Sequence, residues 1–353
     1  MAKQVKHILV IRLSAMGDVA MTVPVLRAFR KQYPDVKLTV LTRPFFKPFF
    51  DDIDHVRVFV AHFNAEHKGV NGIYKLSKQL KKLGASTNTG FDAVADLHNV
   101  LRTRLLKLFL VGKPFMQIDK GRAEKKDLVQ GRVFKPLKTT HQRYADVFER
   151  LGFKIDLTHP QFPDKPAMTS SIQKLLGDNS KTLIGIAPFA QYESKEYPLE
   201  LMEKVIAKLS KSQRYQILLF GGGKQEIKVL DGIEAQYDNA LNIAGKLPFK
   251  DELILIQHLA LMLSMDSGNA HIAAMYGVPV LSLWGATHPY AGFYPFNQDL
   301  DNALLSDRTV YPKIPTSIYG NKYPKGYEDA MKTIDFETVV EKVETLVKKY
   351  LPD

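Results

Sequence analysis

The sequence predicts an α/β protein of two doubly wound, parallel-sheet domains, and three observations lead there. Strand-length apolar runs alternate with helical stretches along most of the 353 residues. The alternation stops at Pro160, Pro163 and Pro166 and then restarts. Two turns, Ser14 to Asp18 and Asp266 to His271, each follow a strand pattern and open a helix pattern, which is where a parallel sheet holds ligands at its carboxyl edge.

His7 to Leu13 reads as a strand, followed by the turn Ser14 to Asp18 and a helix from Val19 to Gln32. Val19, Val23, Leu26 and Phe29 hold helical spacing, and Pro24 marks a kink or the true beginning of that helix. Lys37 to Leu41, Val56 to Val60 and Ala93 to Leu97 are strands, with a lysine-rich helix at Ile73 to Leu83. Residues 112–140, dominated by Gly, Lys, Arg and Pro, read as a long mobile basic loop. Beyond the proline break a Thr-Ser-Ser cap opens a short helix. Strands then fall at Leu183 to Ala187, Gln216 to Phe220, Leu241 to Ile243, Leu261 to Met265 and Val278 to Leu283. Helices at Leu199 to Ser210, Gln225 to Tyr237, Lys250 to Leu259 and Ala270 to Tyr276 separate them. A closing helix, Phe336 to Tyr350, lines up Val339, Val340, Val343, Leu346 and Val347 in one apolar stripe. The chain thus divides into residues 1–165, 166–330 and a final helical segment, 331–353.

Composition narrows the function. With 45% hydrophobic residues the chain can bury two ordinary cores. No run approaches the roughly eighteen uncharged apolar residues of a membrane span, and no secretory segment precedes the first strand, so the cytoplasm is the expected compartment. The absence of cysteine excludes disulfides, thiolate metal sites and a cysteine nucleophile. The histidines are scattered, the nearest pair being His62 and His67, and no metal site is expected. Net charge is +12, but residues 1–165 hold 30 Lys and Arg against 15 Asp and Glu, a net +15, and the remainder 19 against 22, a net −3. The first half therefore offers either a field for an anionic partner or a basic solvated face.

Four segments could carry chemistry. In Arg12-Leu13-Ser14-Ala15-Met16-Gly17-Asp18, Asp18 serves either as a helix N-cap or as a general base. Met265-Asp266-Ser267-Gly268-Asn269-Ala270-His271 places a carboxylate, a hydroxyl, a glycine and an imidazole at a helix start that favours the diphosphate and ribose of a nucleotide, although Asp or Ser there can also be an ordinary cap. Phe220-Gly221-Gly222-Gly223-Lys224 fits neither the dinucleotide fingerprint nor the P-loop, which argues against hydride transfer and P-loop hydrolysis. What remains there is a close backbone approach for a ligand, with Glu226 to accept from sugar hydroxyls, or a plain tight turn. Lys195, in Ala187 to Pro198, could neutralise a diphosphate or be merely solvated. Arg43-Pro44-Phe45-Phe46-Lys47-Pro48-Phe49-Phe50 could hold an amphipathic acceptor, touch lipid headgroups, or pack onto its own domain.

Nearly the whole chain resembles glycosyltransferase family 9, the heptosyltransferases of lipopolysaccharide core synthesis. Ser14-Ala15-Met16-Gly17-Asp18-Val19 looks like the family's S-x-x-G-D turn. Asp266 to Ala274, Gly277-Val278-Pro279-Val280 and Trp284-Gly285-Ala286-Thr287-His288-Pro289 look like its D-[ST]-G-x-x-H-x-A-A, G-x-P and G-x-T-x-P series. The resemblance implies a GT-B fold, two Rossmann-like domains facing a cleft, the first for acceptor and the second for donor, with the last helix packing back toward the first. By position it implies Asp18 as catalytic base and Lys195, Glu226, Leu247, Asp266, Ser267, Gly268 and His271 as donor contacts, Leu247 bordering the nucleotide base. Arg12, Ser14, Met16, Gly17, Arg43, Arg122 and Lys125 are the acceptor-side candidates. Ala190-Gln191 departs from members with hydroxyl residues there, which puts the sugar-phosphate contacts in question.

The implied reaction is inverting, metal-independent transfer of heptose from ADP-heptose to an anionic glycolipid of the Kdo-lipid A type, with no cofactor beyond the nucleotide-sugar substrate. It places the protein in the cytoplasm, held peripherally at the inner face of the inner membrane. The alternatives are a related transferase using another nucleotide sugar for a different surface glycan, and a nucleotide-sugar-binding protein without catalysis. Nucleic-acid binding would explain the charge but not the Asp266 to His271 motif, and no nucleic-acid partner is expected.

Overall fold

Short apolar runs buried on both faces cannot stay in water, and in the computed structural model, which describes residues 5–85, 91–177 and 180–351, they pair into two parallel sheets. In chain order the elements are β1 (His7–Ile11), α1 (Met16–Ala20), α2 (Thr22–Gln32), β2 (Lys37–Thr42), β3 (Val56–Val60), α3 (Gly69–Ala85), β4 (Ala93–Asp96), α4 (Leu101–Phe109), β5 (Phe115–Gln117), α5 (Arg122–Val129) and α6 (Thr140–Glu149). They continue with α7 (Ser170–Leu176), β6 (Thr182–Ala187), α8 (Leu199–Lys211), β7 (Tyr215–Leu219), α9 (Lys224–Glu234), β8 (Ala240–Asn242), α10 (Phe249–Gln257), β9 (Leu261–Met265), α11 (Gly268–Met275), β10 (Val280–Trp284), β11 (Ala303–Leu305) and α12 (Phe336–Tyr350).

The first sheet runs β3-β2-β1-β4-β5 and the second β11-β10-β9-β6-β7-β8. β1 lies centrally, with Ile8 opposite Leu38 on one side and Ala93 on the other, and all five of its residues are buried. In the second sheet β6 and β9 are the inner strands, Ile186 opposite Leu219 and Leu263. Parallel strands need long crossovers, which the helices supply.

Two units result. One comprises residues up to 120 and 140–161, the other residues 121–139 and everything from 162. The sequence division at 165 lies close to the last of the three crossings, but 121–139 departs from it. Leu128 and Leu137 pack with Ala291, and the Leu137 N–H donates to the Tyr290 carbonyl at 2.9 Å. The reading of 112–140 as a mobile loop is likewise corrected, since it contains β5 and α5. Both are too short, and α5 too polar, to leave a periodic signature.

The first helix is in fact two. Met21 separates α1 from α2, the Thr22 hydroxyl donates to the Val19 carbonyl at 2.6 Å, and Pro24 occupies the first turn of α2, where a missing N–H costs nothing. At the other end of the chain, the apolar stripe of α12 is buried with Met202, Val205, Ile206 and Leu209 of α8, within the core of the second unit. The closing helix is thereby anchored in the core of the second unit. No helix among the described residues is long and apolar enough to cross a membrane.

Candidate active site

In the first unit the decisive residues follow the carboxyl ends of β1, β2 and β4. Arg12, one residue beyond β1, is buried, and its guanidinium donates to the Leu97 carbonyl at 2.7 Å and stands 2.5 Å from Asp18 Oδ2. Asp18 is not the N-cap of α1; Ala15 holds that position and has no side-chain oxygen to offer. Asp18 sits three residues on and reaches back, accepting from the Ala15 N–H at 3.3 Å, while its side chain keeps 28% of its surface open to solvent. From α6 the buried Tyr144 donates its hydroxyl to the Asp18 backbone carbonyl at 3.2 Å, and burial pushes that phenol above its ordinary range, so it remains a donor. One carboxylate oxygen is thus tethered and the group stays accessible, as a general base requires. Ser14, Met16 and Gly17 line the same turn, half-buried.

Asp96 and His98 enlarge this edge, and sequence reasoning missed both. Asp96, fully buried at the end of β4, accepts through Oδ1 from the N–H groups of His98 (3.0 Å) and Asn99 (2.9 Å) and through Oδ2 from Gln117 (2.8 Å). That turn holds His98 buried, with Nδ1 unbonded. Burial, and then the charges of Arg12, Lys120, Arg43 and Arg102, push its pKa down to about 3. Arg43, just past β2, keeps a buried Nε without a partner. A neutral imidazole among guanidinium groups makes an edge that welcomes anions. The available signal was Asp96-Leu97-His98-Asn99 at the end of a predicted strand, a place comparable to Ser14 to Asp18.

In the second unit Asp266 follows β9 directly. Its Oδ2 receives the Lys195 ammonium at 2.9 Å and the Thr287 hydroxyl at 2.9 Å, and both members of the ion pair are largely buried. Gly285 and Gly320 let the Lys195 loop come this close. A Cβ on Gly285 would fall 2.3 Å from the Ser194 carbonyl oxygen, and one on Gly320, where φ is +82°, would fall 2.4 Å from Lys195 Cδ. Ser267 is the N-cap of α11, yet its hydroxyl pairs with Ser264 at 3.0 Å and makes no capping bond, so the first N–H groups of α11 depend on other acceptors. Gly268 opens that helix and His271 lies buried in its first turn.

Glu226, in the first turn of α9, accepts from the Gly222 N–H at 2.7 Å, so this carboxylate shapes the glycine turn that follows β7. Leu247 is half-buried beyond β8. The Ala190 N–H is taken by Glu196 Oε1 at 2.9 Å, which closes the loop whose sequence departs from the family pattern.

Lys195, Asp266, Ser267 and Gly268 therefore meet at one place, with Thr287 as a partner that sequence reasoning did not single out. Arg12, Ser14, Met16, Gly17, Asp18 and Arg43 share the first unit. Arg122 and Lys125 belong to α5 of the second unit, where Arg122 is exposed and Lys125 is buried with its ammonium 4.0 Å from the centre of the Phe293 ring. In the Arg43 to Phe50 segment, Phe46, Phe49 and Phe50 are buried and Phe45 is exposed, so most of that aromatic surface is spent on packing. Among the described residues, no group of three or more His, Asp and Glu could hold a metal ion.

Comparison with known proteins matches residues 73–317 to glycosyltransferase family 9 (heptosyltransferase). Lipooligosaccharide heptosyltransferase 2 of Haemophilus influenzae is 25% identical, over 97% of this chain and 100% of its own. A family 9 glycosyl transferase structure from Veillonella parvula has a TM-score of 0.75 at 18% identity, covering 99% of each chain. The structure of ADP-heptose lps heptosyltransferase II of E. coli has a TM-score of 0.70 at 19% identity, covering 97% of this chain and 99% of that one. The two parallel-sheet units are those of the GT-B fold. Because the family match spans more than half of its residues and takes in Lys195, Asp266, Ser267, His271 and Thr287, the chain belongs to glycosyltransferase family 9, the heptosyltransferase family.

Proposed function

We propose that this protein is an inverting glycosyltransferase that moves heptose from ADP-heptose to the inner core of lipopolysaccharide, with Asp18 as general base. The observation that carries the mechanism is the Arg12–Asp18 pair, a carboxylate held at 2.5 Å on one oxygen and still open to solvent. The acceptor oxygen attacks the anomeric carbon as its proton passes to Asp18, and the bond from that carbon to the diphosphate oxygen breaks on the opposite face. A nucleoside diphosphate leaves as a stable anion, so no second acid is required. Lys195, which keeps ammonium protons beyond the one given to Asp266, stabilises the departing charge together with His271 and the first turn of α11. No step calls for a metal.

The heptosyl and lipopolysaccharide parts of this reading are supported by the relatives, a lipooligosaccharide heptosyltransferase in H. influenzae and an ADP-heptose lps heptosyltransferase in E. coli. Arg12, Arg43 and the +15 balance of residues 1–165 suit an acceptor of the Kdo-lipid A type, which is anionic and anchored at the cytoplasmic face of the inner membrane. Asp18→Ala tests the chemistry: transfer falls by about 10² to 10⁴ while ADP still raises the melting temperature, and unchanged transfer removes Asp18 as base. It also separates catalysis from mere binding of a nucleotide sugar.

One observation favours a second donor. Ala190 and Gln191 carry no hydroxyl and the Ala190 N–H is satisfied by Glu196, which suits a nucleotide sugar other than ADP-heptose. A thermal-shift panel of nucleotide sugars decides: ADP-linked sugars stabilise most under the first reading, and a preference for UDP- or GDP-linked sugars establishes the second.

A further inference from the structure

We infer that the outward face of α3 and α4 in the first unit is a docking surface for an anionic lipid bilayer. Thr103 and Leu106 of α4, and Leu110 just beyond it, are buried. On the opposite side Leu101 and Leu108 recur at i and i+7, Leu101 74% and Leu108 67% exposed, while Leu105 packs against the core. Val111, two residues beyond α4, is exposed as well. Two large apolar side chains held in water on one short helix, directly away from the core, gain nothing for folding.

Cations frame the leucines. α4 carries Arg102, Arg104 and Lys107, and α3 carries Lys75, Lys78, Lys81 and Lys82; neither helix has an acidic residue. The two helices are joined where the Tyr74 and Phe109 rings lie 5.4 Å apart, and Lys78 stands over the exposed Tyr74. Lys75 pairs with Glu66 at 2.8 Å, Arg104 donates to Asn99 at 3.1 Å, and Lys107 lies 5.7 Å from the Phe115 ring, so several cations are oriented by neighbours.

Apolar side chains flanked by Lys and Arg on a helix pair match the two layers of a bilayer surface, acyl boundary beneath and anionic headgroup above. A nucleic acid would use the cations and leave the leucines unexplained. A second copy would have to place like charge against like across a self-complementary contact. The choice of a bilayer rests in part on the proposed glycolipid acceptor, but vesicle binding can be measured without any transfer and so can be tested alone.

The test is flotation of the full chain with vesicles of phosphatidylglycerol and phosphatidylethanolamine, free of any acceptor, against phosphatidylcholine vesicles. The expected result is binding to the anionic vesicles only, weakened by salt, and reduced about tenfold or more in the variant carrying Leu101→Ser and Leu108→Ser. A second variant, Arg104→Gln with Lys107→Gln, weakens binding while the leucines remain. Both leave the ADP-induced thermal shift intact, because the replaced residues are exposed. Equal flotation of wild type and the leucine variant overturns the inference. So does a concentration-dependent dimer, or duplex DNA binding, abolished by these substitutions in a protein that ignores vesicles. Transfer to a water-soluble acceptor without vesicle binding sinks the docking surface alone, whereas vesicle binding without transfer sinks the reaction alone.

Discussion

Arg12 stands 2.5 Å from the Asp18 carboxylate and 2.7 Å from the Leu97 carbonyl oxygen, so a single buried guanidinium ties the turn after β1 to the end of β4. Its planar fork makes both contacts at once, which a lysine ammonium on a flexible stem cannot reproduce at a fixed angle. Arg12→Lys is therefore expected to lower kcat about 10- to 100-fold with little change in the donor KM, because the base is misplaced while the second unit is untouched. A larger donor KM at unchanged kcat would show that Arg12 serves binding and does not position Asp18.

Gly320 makes the Lys195–Asp266 pair possible. Its φ of +82° already disfavours a side chain, and an alanine Cβ would lie within 2.4 Å of Lys195 Cδ and 2.6 Å of Cγ. Gly326 has a similar φ of +87° and nothing within 4 Å. Gly326→Ala thus incurs only the backbone cost, on the order of 1 kcal/mol, whereas Gly320→Ala also displaces Lys195 and leaves the buried Asp266 with Thr287 alone. Isothermal titration with ADP separates them: affinity falls about tenfold or more for Gly320→Ala and holds for Gly326→Ala. Equal affinities would mean that Lys195 does not contact the nucleotide.

The residues that the sequence disclosed are those whose chemistry and local pattern coincide. Asp18, in the first turn of α1, and Asp266, just before α11, each lie where an apolar strand gives way to a helix, so the alternation alone places them at a carboxyl edge. Thr287 and His98 also follow strands and Asp96 ends one, but Thr287 and Asp96 act through partners 21 residues away, Asp266 and Gln117, which periodicity does not encode. The segment 121–139 misled for a related reason. Its unit is decided by Leu128 and Leu137 meeting Ala291, a contact far along the chain, and its basic composition resembled a solvated loop.

Glu252 gives the protein a stability that declines from mild acid to neutrality. It lies in the first turn of α10, and burial pushes its pKa from 4.5 up to about 7. Between those values the folded chain holds a proton that the unfolded chain has released. Its contribution is complete below about pH 4.5 and is lost as pH rises through 7. Glu252→Gln removes the titration, and urea unfolding at pH 8 is expected to show it more stable than wild type by on the order of 1 to 3 kcal/mol, with the difference vanishing near pH 5. A constant difference at both pH values would show that the carboxyl does not titrate in this range.

His98 acts in the acid direction. Folded, it stays neutral down to about pH 3, because burial and then Arg12, Lys120, Arg43 and Arg102 oppose its protonation; unfolded, it takes a proton near 6.5. The unfolded chain therefore binds more protons between these values, and the stability tied to neutral His98 is present above about pH 6.5 and lost as pH falls toward 3. His288, buried beside Arg308 with its pKa pushed down to about 4, contributes in the same sense, so one substitution does not flatten the acid limb. His98→Gln is expected to reduce the slope of stability against pH by at most about 1.4 kcal/mol per unit between pH 4 and 6, and adding His288→Gln to reduce it again. Activity provides the second readout. A group that remains neutral across the working range cannot shape the pH–rate profile, so His98→Gln should raise the acceptor KM while leaving the profile's midpoints in place; a midpoint that moves would make His98 a titrating participant in transfer.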